Sequence, residues 1–521
     1  MPAQGEVNTT ILVVSFAVYT LGIVAVGLYS ARFARRSDED YFLAGRSLGS
    51  WVAALSASAS SESGWVTLGL VGWAFANGVE AYWIIPGCLC GFLFNWFVIA
   101  GPLSDQSRRL GALTLPDYFA LRFRERLPVV RILSVVVILT AMMLYVAAQF
   151  AAAGKSFAAL SDRVDYRVGV LIGAVIVLIY TVSGGFRAVC WTDFLQALLM
   201  VGTLVIFPIY LVCKEGGFSA TFSHLRSVDP HLLEFTPDKA GLSLVGFLFG
   251  AGALGINFGY PGQPHVLARF MSLRSRKEIV AGGIIAFFWG LLVYWGAVTV
   301  GLVAREMATR GAGWAQVMLD EQTGQQELAL VLSAMHLLPG VLSGLVLAAV
   351  LAAICSTADS QLVVAGSSVA NDLYSRLVDR TGRTAHLLLN RLTILGLGVV
   401  AVLLVIRQDI KVYTYVLTYG WAVLGASFGP QLILALFWKR ATHAGCVAGM
   451  FTGFVGAIAW KLLTDNTLGG VSTIVDGVEQ RVGGVEVYNL PLAFIAALMV
   501  NLVVSLLTGS SRSTNEPGVD G

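Results

Sequence analysis

The chain has 521 residues, of which 56% are hydrophobic and 12% charged, with a mean hydropathy of +0.76. A soluble globular domain does not carry so much apolar surface, so the composition excludes that class and indicates an integral membrane protein. The formal net charge of +3 is small, and the basic residues sit in short loops such as SDQSRRL, RFRER and MSLRSRKE, a distribution that says nothing for nucleic-acid binding.

Apolar runs of about 20 residues, enough to cross about 30 Å of hydrocarbon as a helix, recur along the chain. They lie near 10–30, 51–76, 82–101, 129–153, 168–184, 191–213, 242–260, 278–303, 339–370, 388–406, 414–438, 442–463 and 488–508. The pattern predicts an all-α polytopic membrane protein with about 13 transmembrane helices. The first run, TILVVSFAVYTLGIVAVGLYS, has no Lys or Arg before it and ARFARR after it, the reverse of a signal peptide, and is read as a retained helix. An odd number of helices places the termini on opposite sides. With the N-terminus outside, the 34 Lys and Arg divide into 22 inside and 12 outside, so cationic residues collect on the cytoplasmic side as expected. The largest extramembrane pieces are loops at 102–128, 214–240 and 464–487, which leaves one membrane transport domain over 1–521. With no targeting peptide in view, a bacterial inner (plasma) membrane is the expected location.

The six cysteines lie in or beside apolar runs without metal-ligand spacing and are expected to be small buried hydrophobes rather than a disulfide framework. No two histidines share ligand spacing. There is no Walker loop, GxSxG elbow or HExxH motif, so nothing points to an enzyme with covalent chemistry.

Two of the runs are interrupted. The second contains SASASSESGW, Ser56 to Trp65, with five serines, a glycine and a glutamate; the seventh contains the glycine-rich FLFGAGALGINFGYPGQP, Phe247 to Pro264. Free backbone groups in lipid cost several kcal/mol each, so irregular chain at membrane depth implies a protein-lined polar cavity. Small residues also let helices pack closely, but Glu62 is too costly in lipid to be explained that way. Breaks in the second and seventh segments have the spacing of an inverted repeat of five plus five helices with a midplane site for a small solute or cation.

These residues also carry a resemblance. DYFLAGRSLGSWVAALSASASSESGW, LTLPDYFALRF, SGGFRAVCWTDFLQALLM, YPGQPHVLARFM, AAICSTADSQLVVAGSSVANDLY and TYGWAVLGASFGP follow, in order, the pattern of the sodium:solute symporter family, most closely its sodium/proline branch, from about Asp40 to about Gly453. The resemblance implies a leucine-transporter-like 5+5 inverted-repeat core (repeats about 49–213 and 242–438, peripheral helices about 10–30, 442–463 and 488–508). It also implies a sodium-coupled symporter working by alternating access.

The sequence itself places Ala353, Ser356 and Thr357 at i, i+3 and i+4 on one helix face, so a carbonyl and two hydroxyls can converge on a cation. The resemblance adds the carbonyls of Ala59 and Glu62 to that sodium site, assigns Asp193 to ion coupling, and draws Asp359 into the same network. It carries over Ser63, Gly64, Trp65, Tyr145, Tyr260, Gln263 and Pro264 as solute-binding positions, and gives Asp40 and Arg46 a gating or orienting role. Taken alone, Asp193 would also read as a helix N-cap.

The chain departs from the proline branch in having Ser61 in place of an aspartate, Glu62 in place of an apolar residue, and Ile256 in place of a tryptophan. Glu62 is expected to take over the missing aspartate's task, with the coupling sodium as its compensating cation and a proton as the substitute at low pH. The expected function is sodium-driven import of proline or a related amino acid. The rivals are symport of a monocarboxylate, betaine or sugar, and a transporter-like sensor. The expected partners are sodium, the solute and the lipid bilayer, in a monomer or weak oligomer.

Overall fold

In hydrocarbon every backbone N–H and C=O must be satisfied within the segment that carries it, which makes each long apolar run a helix. The computed structural model describes residues 9–30, 37–160, 164–235, 250, 254–320, 324–378, 383–408, 410–467, 479–482 and 485–509. The helices that position the site are α1 (Thr9–Ser30), α2 (Ser50–Ser61), α3 (Val71–Asn77), α4 (Ile84–Leu93), α5 (Ala100–Leu110), α6 (Val129–Ala158) and α7 (Tyr166–Lys214). They continue as α8 (Pro264–Ser272), α9 (Arg276–Thr309), α10 (Gly340–Ser367), α11 (Arg383–Val405), α12 (Ala422–Phe437), α13 (His443–Thr467) and α14 (Asn489–Thr508).

Among the described residues nine helices are long and apolar enough to cross a membrane. The shorter apolar segments Val14–Gly27 and Tyr166–Val182 add to these, and of the seventh run anticipated at 242–260 only residues 250 and 254–260 are described. The fifth and sixth runs are two helices, Tyr166–Val182 and Gly185–Lys214, grouped as α7, and the chain breaks between them at Gly185 (φ 62°, ψ −179°), a backbone conformation that a side chain would disfavour. Burial separates centre from rim. In Gly340–Ser375 and Val412–Phe437, 83% of the most apolar window is buried, against 33% in Leu387–Val405 and His443–Trp460, so α10 and α12 are central while α11 and α13 expose much of their surface.

α10 packs on α7, α6, α1 and α2, and α13 pairs with α14 at the rim. The N-terminal part of the second interrupted run, at 247–249 and 251–253, lies outside the described residues, as do ARFARR and most of the 464–487 loop. The end of that loop forms a hairpin rather than irregular chain, β1 (Glu479–Val482) pairing antiparallel with β2 (Val485–Tyr488). Two β-prone stretches, EQRV and VEVY, flank a Gly-Gly pair, the composition of a tight hairpin. Two of the cysteines, Cys90 and Cys213, are exposed, whereas Cys88, Cys190, Cys355 and Cys446 are buried as expected; all six are free thiols.

The chain segments flanking the two interrupted helices are stitched together. Leu48 N–H donates to Ser272 O at 3.1 Å and Arg274 N–H donates to Leu48 O at 3.0 Å, forming a parallel bridge between the start of α2 and the end of α8.

Candidate ion and solute site

The first break falls at Glu62 and Ser63. α2 stops at Ser61, Glu62 takes φ −95° and ψ 63°, and the chain resumes as a wide π-helical turn over Trp65–Leu70 that runs into α3. The freed backbone groups are recaptured by side chains. Gly64 N–H donates to Gln149 Oε1 at 2.9 Å, Gln149 Nε2 donates to Ser63 Oγ at 3.3 Å, and Trp65 N–H and Nε1 donate to Ser63 Oγ and Ser61 O at 3.2 and 3.0 Å. Gln149, on α6, was not singled out from sequence. Gly64 is tight because a Cβ there would stand 3.1 Å from both Ala152 Cβ and Gln149 Oε1.

Opposite this break stands the hydroxyl face of α10. Ser356 Oγ donates to Ala59 O at 3.0 Å and lies 3.1 Å from Ala353 O; Thr357 Oγ1 lies 3.1 Å from Ser60 O and 3.5 Å from Ala59 O. All are buried. Four of the predicted sodium positions, Ala59, Ala353, Ser356 and Thr357, are thus brought together by α2 and α10, with Ser60 O as a further oxygen not anticipated. Neutral oxygens converging in a dry site are the donor set a hard monovalent cation takes.

Asp193 and Asp359 belong to an adjacent network organised by a residue that sequence reading passed over, Arg269. Its Nη2 donates to Asp193 Oδ2 at 2.8 Å, Ser60 Oγ at 2.9 Å and Ser360 Oγ at 2.6 Å, its Nε donates to Ser56 Oγ at 3.0 Å, and its Nη1 donates to His265 O. Asp193 Oδ2 also accepts from Ser56 Oγ at 2.7 Å and Ser60 Oγ at 3.2 Å. The ion pair is wholly buried. Its guanidinium lies 5.1 Å from the centre of the Phe186 ring. Asp193 is not a helix N-cap, because α7 runs through it. Asp193 Oδ1 and both oxygens of Asp359 have no hydrogen-bond partner among the described residues, although Asp359 lies beside Tyr180. An arginine inside the apolar stretch HVLARFM was the available signal for this network.

The remaining predicted positions lie on the other side of the break. The Glu62 side chain turns away from the hydroxyl pair, and its Oε1 accepts a hydrogen bond from the hydroxyl of Tyr294 on α9, which in turn meets the Tyr260 hydroxyl at 3.0 Å. This differs from the expected pairing of the Glu62 carboxylate with sodium, because the bend at residue 62 aims Cβ toward α9 while the preceding carbonyls face α10. Gln263 Nε2 donates to Gly259 O and Trp421 O, both at 3.1 Å, and Trp421 Nε1 returns a bond to Ile256 O at 3.1 Å. Gln263 and Trp421 therefore lock the second break to the Val416–Trp421 turn ahead of α12. Pro264 is the first residue of α8. Tyr145 packs edge-on to the His265 ring at 6.4 Å and lies close to Ser63, outside hydrogen-bond geometry.

Asp40 and Arg46 are remote from both clusters. Arg46 donates to Glu39, Ser107, Ala112 O at 2.7 Å and Met271 O at 3.2 Å, which fastens the approach to α2 against α5 and α8; Asp40 pairs with Ser37 and faces Arg187 at 3.6 Å.

A break in the second run beside a dry oxygen shell, and a second break at Gln263 ahead of α8 beside a cluster of rings, inside a bundle of membrane-length helices, are the arrangement of a secondary active transporter. The family model described as the sodium:solute symporter family matches residues 41–453, and the chain belongs to that family. Membership makes it an integral membrane symporter with sodium as its coupling ion. A sodium/proline symporter of Salmonella typhimurium is 35% identical over 87% of this chain and 88% of its own. A high-affinity proline transporter of Bacillus subtilis is 37% identical over 81% of this chain and 86% of its own. The fold matches a structure of a Na+-coupled sialic acid symporter, substrate-bound and outward-open, at TM-score 0.73 and 18% identity, over 95% of this chain and 98% of that one.

Proposed function

We propose that this symporter imports proline or a related small amino acid with sodium, by alternating access around the two breaks. The observation that carries the reading is the convergence of the Ser356 and Thr357 hydroxyls on the Ala59 and Ser60 carbonyls at the first break. In this proposal Ala59, Ala353, Ser356 and Thr357 hold the sodium, with the Glu62 carbonyl completing the shell, and Asp193 and Asp359 tune it through Arg269. Ser63, Gly64, Trp65, Tyr145, Tyr260, Gln263 and Pro264 line the solute position. Asp40 and Arg46 hold the contact between α2 and α8 on which closure of one face depends. Identity to proline transporters over most of both chains supports the solute assignment.

We further propose that the core repeats span about 49–213 and 242–438 within a single transport domain. The chain sits in a bacterial plasma membrane as a monomer or weak oligomer, N-terminus outside and C-terminus cytoplasmic, an orientation supported by the 22 to 12 division of basic residues. The solute assignment is tested by uptake into proteoliposomes under an imposed sodium gradient, with labelled proline competed by a panel of amino acids, betaines, monocarboxylates and sugars. Proline and its close analogues are expected to compete best; a monocarboxylate or sugar ranking first would refute the assignment while leaving symport intact.

A further inference from the structure

The Glu62 side chain has no task in the proposed sodium shell, since it leaves that shell for a cluster of rings on the other side of the break. Its Oε1 is held by the Tyr294 hydroxyl, while its Oε2 has no hydrogen-bond partner among the described residues although the residue is completely buried. Among the described residues no Lys, Arg or His side chain pairs with it, and Arg269, the guanidinium of the adjoining network, is committed to Asp193. The Tyr294 ring that holds the carboxylate belongs to a buried aromatic cluster with Trp65, Phe92 and Tyr260. The Trp65 and Tyr294 centroids are 6.2 Å apart, those of Phe92 and Tyr260 are 5.1 Å apart, and Trp421 closes on Tyr260 at 4.7 Å.

A half-bonded carboxylate deep in a protein costs several kcal/mol unless a bound proton neutralises it or a positive charge compensates it, and a cationic ligand competes with the proton for that place. The geometry decides which cation fits. Sodium is strongly hydrated and takes several oxygens, which the α2–α10 shell offers and this pocket does not, because the phenolic oxygens near Glu62 are already bonded to it or to each other. An alkylated ammonium fits both features, since its N–H or polarised C–H groups face the free Oε2 while its alkyl groups lie on ring faces that attract positive charge.

We infer that Glu62 is the specificity-determining residue of the solute site, its Oε2 receiving the cationic nitrogen of an N-alkylated ammonium solute inside the ring pocket of Trp65, Tyr260 and Tyr294. The inference rests on the symport reading above and names the part of the solute this chain selects. Tyr294 acts as a positioning residue that holds Oε1 and leaves Oε2 aimed at the ligand.

The test is equilibrium binding to the purified full chain in saturating sodium, with three probes that differ at the nitrogen: L-proline, N,N-dimethylproline and the uncharged-nitrogen analogue N-acetylproline. Wild-type protein is expected to bind the first two and to bind N-acetylproline at least about tenfold more weakly, roughly 1.4 kcal/mol. Glu62→Gln is expected to lower affinity for the cationic probes by at least that factor and to erase the preference over N-acetylproline; Glu62→Asp keeps part of the preference. Tyr294→Phe, which retains the ring, narrows the preference between cationic and uncharged probes, and serves if Glu62→Gln does not fold. Wild-type binding of neither cationic probe, equal binding of charged and uncharged probes, or an unchanged preference in the variants overturns the inference. Sodium-driven uptake of an uncharged or anionic solute alongside such a result leaves the symport reading standing, whereas no sodium-driven uptake of any probe removes that reading as well.

Discussion

Arg269 shows how a single buried charge organises this transporter. One guanidinium joins α2, α7, α8 and α10 through Ser56, Ser60, Asp193 and Ser360, so the four elements surrounding the cation shell share one ionic centre. Removing one member of a fully buried ion pair strands its partner and typically costs about 3–5 kcal/mol. Arg269→Met and Asp193→Asn are each expected to lower the melting temperature of the detergent-solubilised protein sharply. The double variant, which strands neither charge, is expected to recover at least about 1 kcal/mol relative to the sum of the singles. Strictly additive losses would show that the pair contributes nothing as a pair. The reason sequence reading assigned Asp193 to the ion network and missed Arg269 is physical. An aspartate in an apolar helix demands a partner, but the sequence does not say which of several distant helices supplies it.

At the scale of elements, the breaks were legible because a glutamate is costly in lipid unless it lines something and runs of serine and glycine beside it permit the helix to unwind, and the hydroxyl face of α10 was legible because i, i+3 and i+4 is helical geometry. What lay beyond reach was direction. The bend at Glu62 sends its side chain to Tyr294 rather than to the hydroxyl pair, and only backbone dihedrals decide that. The same holds for the pairing of Lys155 at the end of α6 with Glu327, a buried bridge at 2.7 Å between residues far apart in sequence.

Glu327 also accepts from Tyr413 N–H at 3.3 Å, and its backbone presses on Gly72 of α3, while Tyr413 stacks on Trp73 with centroids 5.9 Å apart. This bridge clamps the Gln325–Leu328 turn onto the first turn of α3. Glu327→Gln is expected to loosen the clamp and raise the alkylation rate of the buried Cys88 severalfold, measured in a background with Cys90 and Cys213 replaced. An unchanged rate would mean that the clamp does not limit access to the pocket.

For the whole molecule, one break serves two unlike ligands under the proposed function. The carbonyls at 59–60 face α10 and its hydroxyls, while the side chain at 62 faces Tyr294 on α9, so the proposed cation and solute positions share one stretch of backbone. Under that proposal, occupancy of one position orders the backbone that the other requires, a coupling that works in both directions. The inverted repeat was readable as spacing between breaks, and membership of the family follows from a match over 41–453. The shared backbone between sites was not readable, because it depends on which way each group points across a turn of two residues.

The central claim, that the α2–α10 shell is the sodium site driving transport, is tested most directly by the sodium dependence of solute uptake in proteoliposomes for wild type and Ser356→Ala/Thr357→Ala. The shell loses both side-chain oxygens in that variant, so the sodium concentration for half-maximal uptake is predicted to rise at least about tenfold, on the order of 1.4 kcal/mol. A double variant that keeps the wild-type sodium dependence would contradict the account.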